Sequence, residues 1–167
     1  MLKIAALVST LALALAAAPA FAQSATRIGK HDSWGTYSYP AKEGKVCYAL
    51  TVPTEKTPET LNHGDIYFFV SQRPGQAKSY EPQFIASYDL QAESKVQVSV
   101  DGKSFSMFTK GKSAWVEKPD DEPALIAAMR AGSDMKISAK SKRGNPTTYT
   151  FSLKGITAAL NSISKCK

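Results

Sequence analysis

The sequence predicts a mainly β protein: an antiparallel β-sandwich carrying two short helices. Three observations lead there. Apolar side chains recur at every second position through most of the chain, two segments read as hairpins closed by glycine-containing turns, and only two segments space their apolar residues as helices do.

A leader precedes the strands. Lys3 is followed by an apolar run from Ile4 to Ala18 and then by Pro19-Ala20-Phe21-Ala22 ahead of Gln23. Small residues at Ala20 and Ala22 suit a signal peptidase, so residues 1–22 are expected to be a cleaved signal peptide and 23–167 a single domain. The run of about 15 apolar residues is shorter than a helix needs to cross a bilayer, and no later segment approaches that length. The mature chain is therefore expected to have no transmembrane segment and to reside in the periplasm, or secreted and associated with the outer envelope. The cysteine nearest the leader is Cys47, so no lipid anchor is expected.

Cys47 and Cys166 both remain after cleavage, and an exported chain with an even cysteine count reads as a disulfide protein. Their pairing would tie the C-terminus to an early strand, with a loop-closure stabilisation of ~4 to 5 kcal/mol. With no C-x-x-C spacing, the cysteines are expected to be structural rather than catalytic.

Taken in order, CYALTV at 47–52 is β-prone, and Pro53 and Pro58 bracket a polar connection. In DIYFFVS at 65–71, Ile66, Phe68 and Val70 share one face while Tyr67 and Phe69 occupy the other. That strand is therefore covered on both sides, or its outer aromatics line a second patch. From Val96 to Phe108 a two-residue Asp101-Gly102 turn of type I′ sets Val100 opposite Lys103, Val98 opposite Phe105 and Val96 opposite Met107, which puts four apolar residues on one face. Gly111 begins a reversal into a strand containing Trp115, a core or rim anchor.

Asp120 to Gly132 reads as the first helix. Asp120 or Asp121 would cap it, Pro123 suits the first turn, Leu125, Ala128 and Met129 form the apolar stripe, and Gly132 is expected at a left-handed C′ position. A second hairpin joins 135–141 to 147–153. A three-residue Gly144-Asn145-Pro146 connection would set Ile137 opposite Leu153, Ala139 opposite Phe151 and Ser141 opposite Tyr149. The other face would then carry Lys136, Lys140, Lys142 and Lys154, with Arg143 at the tip. Finally, Ile156, Ala159, Leu160 and Ile163 mark a short terminal helix.

The formal net charge is +7, and removing Lys3 with the leader lowers it by one. This surplus suits anionic lipid or glycolipid surfaces, and equally ordinary solubility. Export and the lack of a Lys/Arg run with interleaved aromatics argue against nucleic acid. His31 and His63 sit in no metal-ligand spacing, His31 beside Asp32 reads as an exposed polar pair, and no serine lies in G-x-S-x-G. Neither catalytic residues, nor a metal, nor a cofactor is expected. The candidate contact residues are Lys136, Lys140, Lys142, Arg143 and Lys154 for an anionic partner, and Tyr67 and Phe69 for a protein interface.

Six ordered segments, GKVCYAL at 44–50, GDIYFFVSQRP at 64–74, VDGKSFSMFTKGKSAWVE at 100–117, LIAAMRAGSDM at 125–135, SKRGNPTTYTFSLKGITAAL at 141–160 and Cys166, closely resemble the invasion-associated locus B family of exported alphaproteobacterial proteins. The resemblance implies an immunoglobulin-like β-sandwich and transfers no catalytic residues. It implies a non-enzymatic envelope protein, binding or structural, with a role in host-cell contact and an envelope or host protein as partner. The alternative is a periplasmic inhibitor or chaperone-like factor using the segment from Pro53 to Asn62. Three departures from the family pattern are His63 in place of a more usual Arg, the stretch 79–95 without the expected glycine-containing turn, and Lys112 in place of an acidic residue.

Overall fold

A computed structural model describes residues 24–42, 44–72 and 79–165. The expected signal peptide, 1–22, lies outside them. Eleven strands and two helices follow in chain order: β1 (Thr26–His31), β2 (Trp34–Ala41), β3 (Gly44–Thr51), β4 (Glu55–Thr57), β5 (Ile66–Gln72), β6 (Tyr80–Ala86), β7 (Lys95–Val100), β8 (Lys103–Lys110), β9 (Ser113–Val116), α1 (Asp121–Ala131), β10 (Asp134–Lys140), β11 (Pro146–Ser152) and α2 (Ile156–Ile163).

The mainly β class with two short helices is as expected, but the strands do not divide into two hydrogen-bonded sheets. They form one sheet in the order β1-β2-β3-β5-β6-β9-β8-β7-β10-β11-β4. Open sheets of this size rarely stay flat, because each strand twists on its neighbour. Here rings from strands far apart in the order meet across the interior: Phe68 on β5 with Phe151 on β11 at 6.0 Å between centroids, and Phe84 on β6 with Tyr149 on β11 at 5.6 Å. Trp34 Nε1 at the head of β2 donates to the Ser152 carbonyl at 3.1 Å. One face of the sheet thus closes over a single core containing Ile66, Val98, Met107, Ile137 and Leu160.

Period-2 alternation produces this sidedness. Burial alternates along β2, β3, β5 and β10, and beyond Trp34 the residues turned inward on β2 and β3 are small: Thr36, Ser38, Cys47, Ala49 and Thr51. The short side chains leave room for α2, which packs against β1, β2, β3 and β5 and buries Ile156, Ala159, Leu160 and Ile163. All four residues of the expected stripe are at that interface.

The first hairpin has the expected register, Val100↔Lys103, Val98↔Phe105 and Val96↔Met107, with φ of 46° at Asp101 and 82° at Gly102. Positive φ at both central residues is the type I′ turn, whose twist matches that of the strands. The second hairpin does not. Ile137 pairs with Tyr149, Ala139 with Thr147 and Met135 with Phe151, a shift of four positions from the expected pairing. The loop is Lys142-Arg143-Gly144: Gly144 N–H donates to the Ser141 carbonyl, Ser141 N–H to the Asn145 carbonyl, and Gly144 takes φ 83°. A three-residue loop needs its left-handed residue last, and glycine meets that need at the third position, not the first. Because the shift is even, every side chain keeps its expected face.

Two further expectations are corrected. Gly132 is extended (φ −88°, ψ 168°), not left-handed; a Cβ there would stand 2.5 Å from Val100 Cγ1, so close approach to β7 is what requires glycine. Asp120 gives no side-chain cap, and the N–H groups of Asp121 and Glu122 donate instead to the carbonyls of Lys118 and Pro119. The expected disulfide between Cys47 and Cys166 is not seen as a cysteine pair among the described residues, which contain Cys47 but not Cys166. Cys47 itself is buried on β3 and is not a free thiol.

Candidate functional site

The first candidate site is a cleft of about 540 Å³ between the segment preceding β5, the loop after β6 and the β10–β11 turn. At its base runs a chain of buried polar groups. His63 Nε2 lies 2.9 Å from the Pro58 carbonyl and Nδ1 lies 2.9 Å from Tyr149 Oη; Tyr149 Oη lies 2.7 Å from Tyr88 Oη, which lies 2.9 Å from Thr147 Oγ1. A carbonyl only accepts, so Nε2 carries the ring proton, and in the neutral ring Nδ1 must accept from Tyr149. Tyr149 then accepts from Tyr88, and the Thr147 proton has two acceptors within reach, Tyr88 Oη and the Ala139 carbonyl at 3.3 Å. The two tyrosine hydroxyls each donate once and accept once, in a cluster whose members His63, Thr147 and Tyr149 are 6%, 5% and 0% exposed.

Burial and then the Tyr88 hydrogen bond push the Tyr149 hydroxyl well above the ordinary tyrosine range, with Thr147 acting in the opposite direction. The His63 ring also meets the Tyr149 ring edge-on at 5.3 Å. Above this base the rim carries Lys142, Arg143, Asn62, Asn145 and Asp89. Asn62 Oδ1 accepts from Gly64 N–H at 3.0 Å, which leaves its NH₂ group free to donate.

The second candidate site is the outer face of β2, β3 and β5. Tyr37 and Tyr48 are register partners and stack at 5.4 Å with 16° between planes. Tyr48 also meets Tyr39 at 6.2 Å and Phe69 at 5.4 Å, and Phe69 meets Tyr67 at 6.0 Å. All five rings are half-buried. The Tyr48 hydroxyl is pushed up by burial, then by Tyr37 and Tyr39. Farther along, Trp115 stacks on the exposed Phe108 at 5.7 Å, an outer-face position flanked by the buried Ala114 and Val116.

The basic residues singled out from the sequence do not form one stripe. Lys136 and Lys140 point outward on β10. Lys142 and Arg143 sit on the turn at the cleft rim, and Lys154 lies beyond the opposite end of β11, 3.6 Å from Asp32. His31 and Asp32 form no dyad, because Asp32 turns to Lys154 while His31 Nε2 is buried without a hydrogen-bond partner. The segment from Pro53 onward is tied down, with Thr54 N–H donating to the Thr150 carbonyl at 2.8 Å and β4 paired to β11. Among the described residues no group of three His, Cys, Asp or Glu side chains is placed to hold a metal.

Sequence reasoning missed the His63–Tyr149–Tyr88–Thr147 chain. The one available signal was Tyr149 on the inward face of its strand, since a buried tyrosine hydroxyl needs a partner.

The profile described as "Invasion associated locus B (IalB) protein" matches residues 34–164. The chain belongs to this family. The crystal structure of invasion associated protein b from Bartonella henselae is similar in fold, with a TM-score of 0.57 over 81% of this chain and 94% of that one, at 16% sequence identity. Comparison with curated protein sequences gives no match. Membership of the invasion-associated locus B family carries a periplasmic or envelope-associated location and a non-enzymatic, binding or structural role. In this invasion-associated locus B protein the matched span runs from the head of β2 to just past α2 and includes both candidate surfaces. Among the described residues no helix is long and apolar enough to cross a membrane.

Proposed function

We infer that this envelope protein holds a protein partner, of envelope or host origin, on the outer aromatic face of β2, β3 and β5. The unbroken ring contact from Tyr37 through Tyr48 and Phe69 to Tyr67 carries the reading. Cores of protein interfaces are enriched in Tyr, Phe and Trp and depleted in charge, and the outward positions here are Tyr37, Tyr39, Val46, Tyr48, Leu50, Tyr67 and Phe69. Stiff rings already held by one another lose little freedom on binding. The host-contact role suggested by the name of the Bartonella henselae protein fits this surface.

The wrapped sheet is read as an immunoglobulin-like sandwich, a reading supported by the Phe68–Phe151 and Phe84–Tyr149 contacts between its two halves. Residues 23–167, released after Ala22, are read as its single domain. Lys136, Lys140, Lys142 and Arg143 serve as a lesser contact for anionic lipid or glycolipid; Lys154, ion-paired to Asp32, adds least. The inhibitor-like alternative gains nothing from a Pro53–Thr57 segment held in the sheet.

The test is photo-cross-linking from position 67 in living cells, with a Tyr48→Ser/Phe69→Ser variant as comparison. The expected result is one dominant adduct, lost in the variant and little changed by salt. The same adduct at the same yield in the variant would remove the aromatic face as the contact.

A further inference from the structure

We propose that the cleft over His63 and Tyr149 binds a phosphate group borne on a hydroxyl-rich headgroup, as in a phosphosugar, with Lys142 and Arg143 holding the phosphate. The proposal rests on the anionic contact read above and is independent of the aromatic face.

At the base of the cleft Tyr88, Tyr149 and Thr147 spend their hydroxyl protons on one another, on His63 and on the Ala139 carbonyl, so the floor is a fixed polar wall. Recognition then falls to the rim. Lys142 and Arg143 lie side by side on a three-residue turn pinned by Gly144 N–H to the Ser141 carbonyl, and by Lys142 N–H to the Asp89 carbonyl at 2.8 Å. Neither side chain has an ion-pair partner among the described residues. Two unpaired cations at adjacent positions of a braced turn, one of them a guanidinium fork, suit a phosphate.

The other rim groups say what the phosphate is attached to. A cleft of about 540 Å³ falls within the range of sites for small organic ligands and is much larger than a bare oxyanion requires. Asn62 and Asn145 supply amide donors, while the Asp89 carboxylate at the same rim only accepts. Asp89 would repel a second anionic group and accept from a hydroxyl. One phosphate beside several hydroxyls satisfies both halves of the rim, whereas a polyanion satisfies only one. Such a group occurs free in solution or as a lipid headgroup.

The mature protein is titrated with glucose 1-phosphate, glucose and inorganic phosphate, following backbone amide shifts, and is separately sedimented with phosphatidylcholine vesicles containing phosphatidic acid. The expected result is that glucose 1-phosphate shifts the amides of residues 62, 89 and 142–145, that glucose does not, and that inorganic phosphate binds more weakly. Lys142→Ala/Arg143→Ala reduces binding tenfold or more, while Lys103→Ala/Lys165→Ala, which removes the same charge elsewhere, leaves it intact. Vesicle binding lost in the first variant and kept in the second assigns the phosphate to a lipid headgroup. Vesicle binding equal in both variants, with no cleft shifts from the soluble probe up to about 10 mM, overturns the cleft site while leaving a diffuse basic contact through Lys136 and Lys140 standing.

Discussion

Tyr149 Oη lies 2.9 Å from His63 Nδ1, joining β11 to the connection ahead of β5 across 86 positions of chain. Through this bond His63 becomes part of a buried polar chain.

Tyr149→Phe should destabilise the protein by about 1–3 kcal/mol, because removing one hydroxyl leaves His63 Nδ1 buried without a partner, while Tyr88 can turn its proton to Thr147. Urea unfolding measures it. A loss under about 0.5 kcal/mol would mean the chain is solvated by water and contributes little.

The same hydroxyl sets an alkaline limit. Its pKa is higher in the folded than in the unfolded protein, so the folded state holds the proton more tightly. The stabilisation is complete below the unfolded value of about 10 and is lost as pH rises from there through the folded value. Thermal unfolding between about pH 9 and 11.5 should show Tm falling more steeply in the native protein than in Tyr149→Phe. Parallel slopes would contradict the assignment.

Two glycines should respond differently to alanine. Gly155 has φ 91°, and a Cβ there would stand 2.0 Å from the backbone oxygen of His31. Gly155→Ala is therefore expected to lose about 3 kcal/mol or more, since neither the backbone conformation nor the contact can relax cheaply. Gly102 has φ 82° with nothing within 4 Å of the added carbon, so Gly102→Ala should lose only about 1 kcal/mol. Chemical denaturation of the pair tests the contrast, and equal losses would refute it.

A double-mutant cycle on Phe68 and Phe151 tests whether the two halves of the sheet share one core. Each truncation to alanine should cost about 3–5 kcal/mol, with a coupling of about 0.5–1.5 kcal/mol between the rings. Additive losses would place the two residues in independent clusters.

The Asp101-Gly102 hairpin was legible to the residue because turn chemistry and alternation demand the same register, and both are local. The Lys142-Arg143-Gly144 hairpin was legible only in its faces. Alternation repeats every two residues and is blind to a shift of four; the left-handed conformation of Gly144 at the end of the loop decides between them. The end of α1 shows the converse. Gly132 was readable as a necessary glycine, but its reason is contact with Val100, on a strand reached only through tertiary folding.

Local order therefore dictated which residues alternate, which turn and which coil: the strands through Tyr67 and Tyr149 and the stripe of α2 all rest on neighbours within a few positions. Only the tertiary fold decided that Lys142 and Arg143 stand at the cleft over His63 while Lys154 turns away to Asp32, and that the strands join in one sheet and not two. Side-chain periodicity selects a face, but it carries no information about which distant strand that face will meet.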